Sequence, residues 1–114
     1  MSPEITVHEL SEKLNSQEAF IVLDVREPHE LTLAKISDER VRPAPISVLA
    51  RQGISALPEA ARAGELPIYV MCHSGVRSAQ VTAWLAGQGL TRIFNVRGGI
   101  DEYARKIDKT IGFY

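Results

Sequence analysis

Apolar residues follow two patterns along this chain. The first is the short unbroken run. Phe20-Ile21-Val22-Leu23-Asp24-Val25, Pro67-Ile68-Tyr69-Val70-Met71 and Arg92-Ile93-Phe94-Asn95-Val96 are rich in branched and aromatic residues. Runs of this length with no polar alternation predict strands buried on both faces, as in a parallel sheet. The second pattern is helical. Val81, Trp84 and Leu85 fall at i, i+3 and i+4 beyond Arg77, and Gly87 and Gly89 stop that helix. Ile100, Tyr103, Ala104 and Ile107 mark one side of a last helix after Gly98-Gly99.

Polar punctuation adds two helix starts. Thr6-Val7-His8-Glu9 reads as a capping box opening a helix through Leu10 and Leu14. Glu27-Pro28-His29-Glu30-Leu31 places proline and acids where a short helix begins. Residues 34–66 are the least patterned. Arg40-Val41-Arg42-Pro43-Ala44-Pro45-Ile46 reads as extended, its prolines suiting an edge. Ser47 to Gln52 and Leu57 to Ala63 are weak helical segments. Strands alternating with helices predict an α/β sheet with helices on both faces. Ligands of such sheets bind beyond the carboxyl ends of the strands. Asp24-Val25-Arg26, Cys72 and Arg97-Gly98-Gly99 would converge on that rim.

Composition narrows the function classes. A chain of 114 residues is expected to form one domain over residues 1–114. The net charge of −1 gives no electrostatic footprint for nucleic acid or an anionic membrane. No apolar run approaches a bilayer span. The opening MSPEITVHEL lacks the basic and apolar regions of a signal peptide. One cysteine allows neither an internal disulfide nor a paired-thiolate metal site, so a reduced, cytoplasmic setting is expected, with no metal or cofactor.

That cysteine ends a predicted strand. In Val70-Met71-Cys72-His73-Ser74-Gly75-Val76-Arg77-Ser78, few residues separate it from a helix. Such a loop can curl its amides inward as an anion nest, with Gly75 supplying a positive φ. The amides and the helix dipole favour thiolate over thiol at Cys72. Arg77 adds a fixed charge, and Ser74 and Ser78 add hydroxyl donors. A lone cysteine is otherwise a small buried hydrophobe; the polar, glycine-containing loop is what favours chemistry. His73 reads as a loop residue whose backbone matters more than its ring. Asp24 and Arg26 read as supports tying the neighbouring strand end to the cysteine loop. Trp84 reads as core.

Taken together, D-V-R-E-P at Asp24–Pro28, C-x-x-G-x-R-S at Cys72–Ser78 and N-V-x-G-G-I at Asn95–Ile100 resemble the rhodanese-homology family over nearly the whole chain. The resemblance implies a central five-stranded parallel sheet and a sulfurtransferase. Cys72 would carry sulfane sulfur as a persulfide, and His73, Ser74, Gly75, Val76 and Arg77 would form the cradle. The donor would be a small species such as thiosulfate. The acceptor would be cyanide, a small thiol or a protein thiol, possible protein acceptors being a sulfur-carrier protein or thioredoxin. The GGIDEYARKID segment also resembles rhodanese domains joined to sulfurylating enzymes of molybdopterin and thiamin-type pathways. One departure is the absence of the family's Gly-His pair from residues 34–46. A persulfide relay, redox sensor or docking module is the alternative. A phosphatase or arsenate reductase is disfavoured, because only four residues separate Cys72 from Arg77 and those phosphatases resemble one another in having five.

Overall fold

The computed structural model describes residues 3–114. Five parallel strands form one sheet: β1 (Glu4–Ile5), β2 (Ile21–Asp24), β3 (Val41–Pro43), β4 (Ile68–Met71) and β5 (Ile93–Val96). Their spatial order is β1-β5-β4-β2-β3. The three apolar runs are β2, β4 and β5, which lie at the centre. The proline-bearing segment supplies edge strand β3, where Pro43 pairs in register with Asp24. The other edge, β1, was not predicted. Two residues are too few to show a period, and its pairing of Glu4 with Asn95 and Ile5 with Val96 is set by the neighbouring strand.

Among the described residues, six α-helices connect and cover the sheet: α1 (Val7–Leu14), α2 (Pro28–Leu31), α3 (Ile46–Gln52), α4 (Glu59–Arg62), α5 (Val76–Gly87) and α6 (Gly99–Lys106). The Thr6 capping box is present, with Glu9 N–H donating to Thr6 Oγ1 at 3.1 Å and Thr6 N–H donating to Glu9 Oε1 at 3.0 Å. Leu49 of α3, Ala61 of α4 and Val81 and Leu85 of α5 pack on one face of the sheet against Leu23, Val70 and Ile93. Val7 and Leu10 of α1 and Ile100 and Tyr103 of α6 pack on the other against Val22, Met71 and Val96. Side chains alternate across a strand, so Ile68, Val70 and Cys72 face α5 while Tyr69 and Met71 face α1 and α6. Among the described residues, no helix is long and apolar enough to cross a membrane.

The carboxyl ends of β2, β4 and β5 open on one rim, as the pattern predicts. Backbone hydrogen bonds run up to its edge: Val25 N–H donates to Met71 O, Ala44 N–H to Asp24 O and Arg97 N–H to Ile5 O, each at 2.9 Å. The side chains at the strand ends are thereby held on a rigid frame.

Candidate active site

Cys72 is the first residue past β4, and its side chain continues the buried face of that strand; it is 1% exposed. The chain then turns through His73, Ser74 and Gly75 into α5. Gly75 has φ +97°, a region closed to side chains, and a Cβ there would sit 3.1 Å from Gly98 N. The turn aims two amides at the sulfur. Gly75 N–H donates to Cys72 Sγ at 3.1 Å and Ser78 N–H does so at 3.3 Å. Helix N-termini carry amides with no partner inside the helix; here the sulfur takes two of them, from Gly75 and Ser78.

The loop is braced from behind by α6. Gly98 and Gly99 both have positive φ. This tight turn brings Ile100 N–H to Cys72 O and Asp101 N–H to His73 O, both at 2.9 Å. The first-turn donors of α6 thus bind the carbonyls of the cysteine loop. The amides that meet the sulfur are those of Gly75 and Ser78.

Arg77 chelates Glu30 of α2 with two hydrogen bonds of 2.7 Å each. Glu30 is held well below its ordinary value, to about 2, first by the Arg77 hydrogen bonds and then by the Glu27 amide and Tyr114, against the opposing effect of burial. The Tyr114 hydroxyl donates to Glu30 Oε1 at 2.9 Å and accepts from Arg26 Nη1 at 3.1 Å. Its ring stacks on His73 with centroids 4.0 Å apart. His73 Nε2 lies 3.8 Å from Asp101 Oδ1, too far for a hydrogen bond.

Asp24 and Arg26 require a correction. They do not reach the cysteine loop directly. The Asp24 carboxylate accepts from Arg26 Nε at 2.9 Å and Nη2 at 2.7 Å, and Arg26 Nη1 turns to Glu30 O and Tyr114 Oη. Two residues apart at a strand end, the pair closes on itself, and a fully buried guanidinium must use its donors locally. Its link to the loop runs through Tyr114, Glu30 and Arg77. Ser78 also differs from the expectation: its hydroxyl donates to Asn95 Oδ1 at 2.5 Å, so the sulfur meets the serine oxygen as an acceptor, at 3.3 Å. Ser74 and Val76 are exposed on the outer side of the loop. Trp84 is half-buried and lines an apolar groove with Ile46, Leu49 and Val81.

Three residues at the site escaped the sequence reading. Glu30 reads there as a helix-start acid, Asn95 only as part of a strand and of the N-V-x-G-G-I motif with no bonding role, and Tyr114 belongs to no motif. A polar residue inside an apolar run was the available signal for Asn95, since a buried amide in a central strand must be bonded. Among the described residues, no group of three or more histidine, cysteine, aspartate or glutamate side chains is placed to hold a metal.

Comparison with known proteins agrees with this architecture. The family model described as "Rhodanese-like domain" matches residues 6–106. A protein called simply "Sulfurtransferase" from Allochromatium vinosum is 32% identical over 105 residues, 92% of this chain and 91% of its own. The chloroplastic Rhodanese-like/PpiC domain-containing protein 12 of Arabidopsis thaliana is 33% identical over 97% of this chain, which spans only 37% of that protein. A rhodanese-related protein from Thermoplasma volcanium superposes with a TM-score of 0.73 at 32% identity, covering 92% of this chain and 93% of its own. A parallel five-stranded sheet with a cysteine loop feeding a helix at its carboxyl rim is a rhodanese-type α/β architecture. The chain belongs to the rhodanese-like domain family.

Proposed function

We propose that this chain is a sulfurtransferase in which Cys72 accepts sulfane sulfur from a small anionic donor such as thiosulfate and passes it to a thiophilic acceptor. The observation that carries the reading is the pair of amides, from Gly75 and Ser78, that meet the Cys72 sulfur. Hydrogen bonds to the charged form of a group favour that form, and the amino end of α5 adds its dipole. In the first step the Cys72 thiolate attacks the outer sulfur of thiosulfate. A new S–S bond forms at Cys72, the old one breaks, and sulfite leaves with its electron pair. In the second step cyanide or a thiolate attacks the outer sulfur of the persulfide, and the Cys72 thiolate is the leaving group. His73 to Arg77 form the cradle. Arg77 gives positive charge at its mouth, with the guanidinium oriented by Glu30.

Family membership and the sulfurtransferase relative support sulfur transfer in general. The choice of thiosulfate rests on the tight loop, which suits one added sulfur atom, and on its inward amides, which suit a small anion. Four residues between Cys72 and Arg77 make a narrow cradle for a tetrahedral phosphate, which ranks phosphatase chemistry lower. The expected result is a gain of one sulfur atom on the intact protein after thiosulfate treatment, read by mass spectrometry, lost on adding cyanide and absent from Cys72→Ser. A folded protein that stays unmodified by thiosulfate would sink this donor assignment.

A further inference from the structure

Asn95 is the one amide side chain in the central strands, and it is 3% exposed. It lies on the face of β5 that meets α5, in register with Val70 of β4 and Glu4 of β1. A position facing the helix would ordinarily be apolar, so the amide needs a reason. Its hydrogen bonds define one orientation. Nδ2 donates to Gly75 O at 3.3 Å and to Glu4 Oε2 at 3.4 Å. A carbonyl and a carboxylate can only accept, so the NH2 group must face them. Oδ1 is then left to face Ser78, and it can only accept. The Ser78 hydroxyl must therefore donate to it, and does so at 2.5 Å. A hydroxyl has one hydrogen. With that hydrogen committed, the side of Ser78 Oγ nearest Cys72 presents a lone pair to the sulfur at 3.3 Å.

We infer that Asn95 is a positioning residue that fixes Ser78 as an acceptor toward Cys72, and so biases the unloaded sulfur toward its protonated form. The protonated sulfur donates to Ser78 Oγ. The thiolate loses that bond and meets a lone pair instead, although it keeps the amides of Gly75 and Ser78. A persulfide places its charge on the outer sulfur, and its inner sulfur has neither a proton to share nor a charge for the lone pair to oppose. This last consequence rests on the sulfur-transfer reading: the network disfavours the idle thiolate relative to the loaded state.

The charged groups on the elements around the sulfur are accounted for separately. Arg77 of α5 is held by Glu30 of α2, Arg26 by Asp24 at the end of β2, His73 lies near Asp101 of α6, and Glu4 of β1 meets the Asn95 amide. None of them is changed by Ser78→Ala, so the sign of that variant's effect isolates the hydroxyl.

The test is the pH profile of thiolate ultraviolet absorbance, read against a Cys72→Ser blank; the single cysteine makes the signal assignable. Ser78→Ala is expected to move the midpoint to lower pH by about half to one unit. A serine that donated to the thiolate would give the opposite sign, and a rise or an unchanged midpoint overturns the proposal. Asn95→Leu, close in volume, is expected to lower the midpoint by freeing the hydroxyl to turn toward the sulfur, and to have no further effect in a Ser78→Ala background. A further fall in that background means that Asn95 acts by another route and also overturns it. Should Asn95→Leu fail to fold, the sign for Ser78→Ala still decides. Thiosulfate loading is read apart from these profiles, so the expected shifts in a protein that never loads would sink the thiosulfate assignment and leave the role of Asn95 standing.

Discussion

The Arg77 guanidinium commits one N–H of each terminal nitrogen to Glu30, and that pairing carries a pH dependence. Glu30 has an ordinary value of 4.5 and is held to about 2 in the folded protein, chiefly by Arg77. A carboxyl depressed on folding binds fewer protons in the native state than in the unfolded one. Its contribution to stability is therefore fully present above about pH 5 and is lost as the pH falls toward about 2. The Arg77 side chain is 33% exposed, so solvent screens the pair, and a contribution on the order of 2 kcal/mol is expected. Glu30→Gln should lower stability in urea by about that amount at pH 7 and flatten the profile between pH 5 and 2. A variant that loses stability in parallel with the parent over that range would show that Glu30 is not the titrating group. It should also slow persulfide formation several-fold, because the freed Arg77 no longer holds its charge at the cradle. This pair was not legible in the sequence. Forty-seven positions separate the partners, and neither the short helix α2 nor the loop contains a sign of the other. The placement of Cys72, Gly75 and Arg77 on one strand-to-helix turn was legible, because it depends on local spacing.

At the scale of elements, the site is an interlock between two strand-to-helix turns. The turn after β4 faces its amides to the sulfur and its carbonyls to α6; the turn after β5 faces its amides to those carbonyls. The junction depends on Gly99. Its φ is +59°, and a Cβ there would lie 2.5 Å from both Cys72 O and His73 O. Those atoms are backbone, so relief requires one turn to move. Gly99→Ala is expected to cost about 2–4 kcal/mol from the left-handed backbone and the overlap together. It should also lower the rate of thiosulfate loading beyond what the lost folded fraction explains. Measuring both under conditions where the variant stays folded checks this; normal loading by a destabilised protein would show that the interlock serves stability alone. The Gly-Gly pair was visible in the sequence as a tight turn, but not its partner. The segment lacking the family's Gly-His pair has a comparable answer in the structure. Lys35 N–H donates to Ile111 O at 3.2 Å, and Gly112 packs on Leu33 O so closely that a Cβ would overlap it. Residues 109–114 therefore cover that region and bring Tyr114 to Glu30. No periodicity marks such a contact, since it involves irregular backbone on both sides.

Across the whole molecule, the sheet separates chemistry from scaffolding. Its carboxyl rim holds the cysteine loop; its amino rim holds Arg40. That guanidinium pairs with Asp38 through Nε and Nη2, both at 2.9 Å. It also donates to the carbonyls of Leu14 at 2.8 Å, Glu18 at 3.0 Å and Ser16 at 3.1 Å. It lies 4.6 Å from the centroid of the Phe20 ring. One side chain thus terminates α1, closes the loop into β2 and fixes the entry to β3. The sequence showed strands and helices in order, which was enough for the sheet and its rim. It gave no sign that an arginine before the edge strand would gather carbonyls from more than twenty residues away. Removing it leaves those carbonyls to solvent and Asp38 without its partner. Charge-assisted hydrogen bonds contribute more than neutral ones, but this site is partly exposed. Arg40→Ala is expected to lower stability by about 2–3 kcal/mol, read from urea or thermal unfolding. Arg40→Lys should recover less than half of that, because an ammonium cannot span the fork of acceptors. Neither should move the thiolate pH profile of Cys72 or the rate of thiosulfate loading in the folded protein, since the hydrogen-bond partners of Arg40 lie at the amino rim, on Asp38 and the segment from Lys13 to Glu18. A changed profile in a stably folded Arg40 variant would mean that the two rims are coupled and that the sheet transmits strain between them.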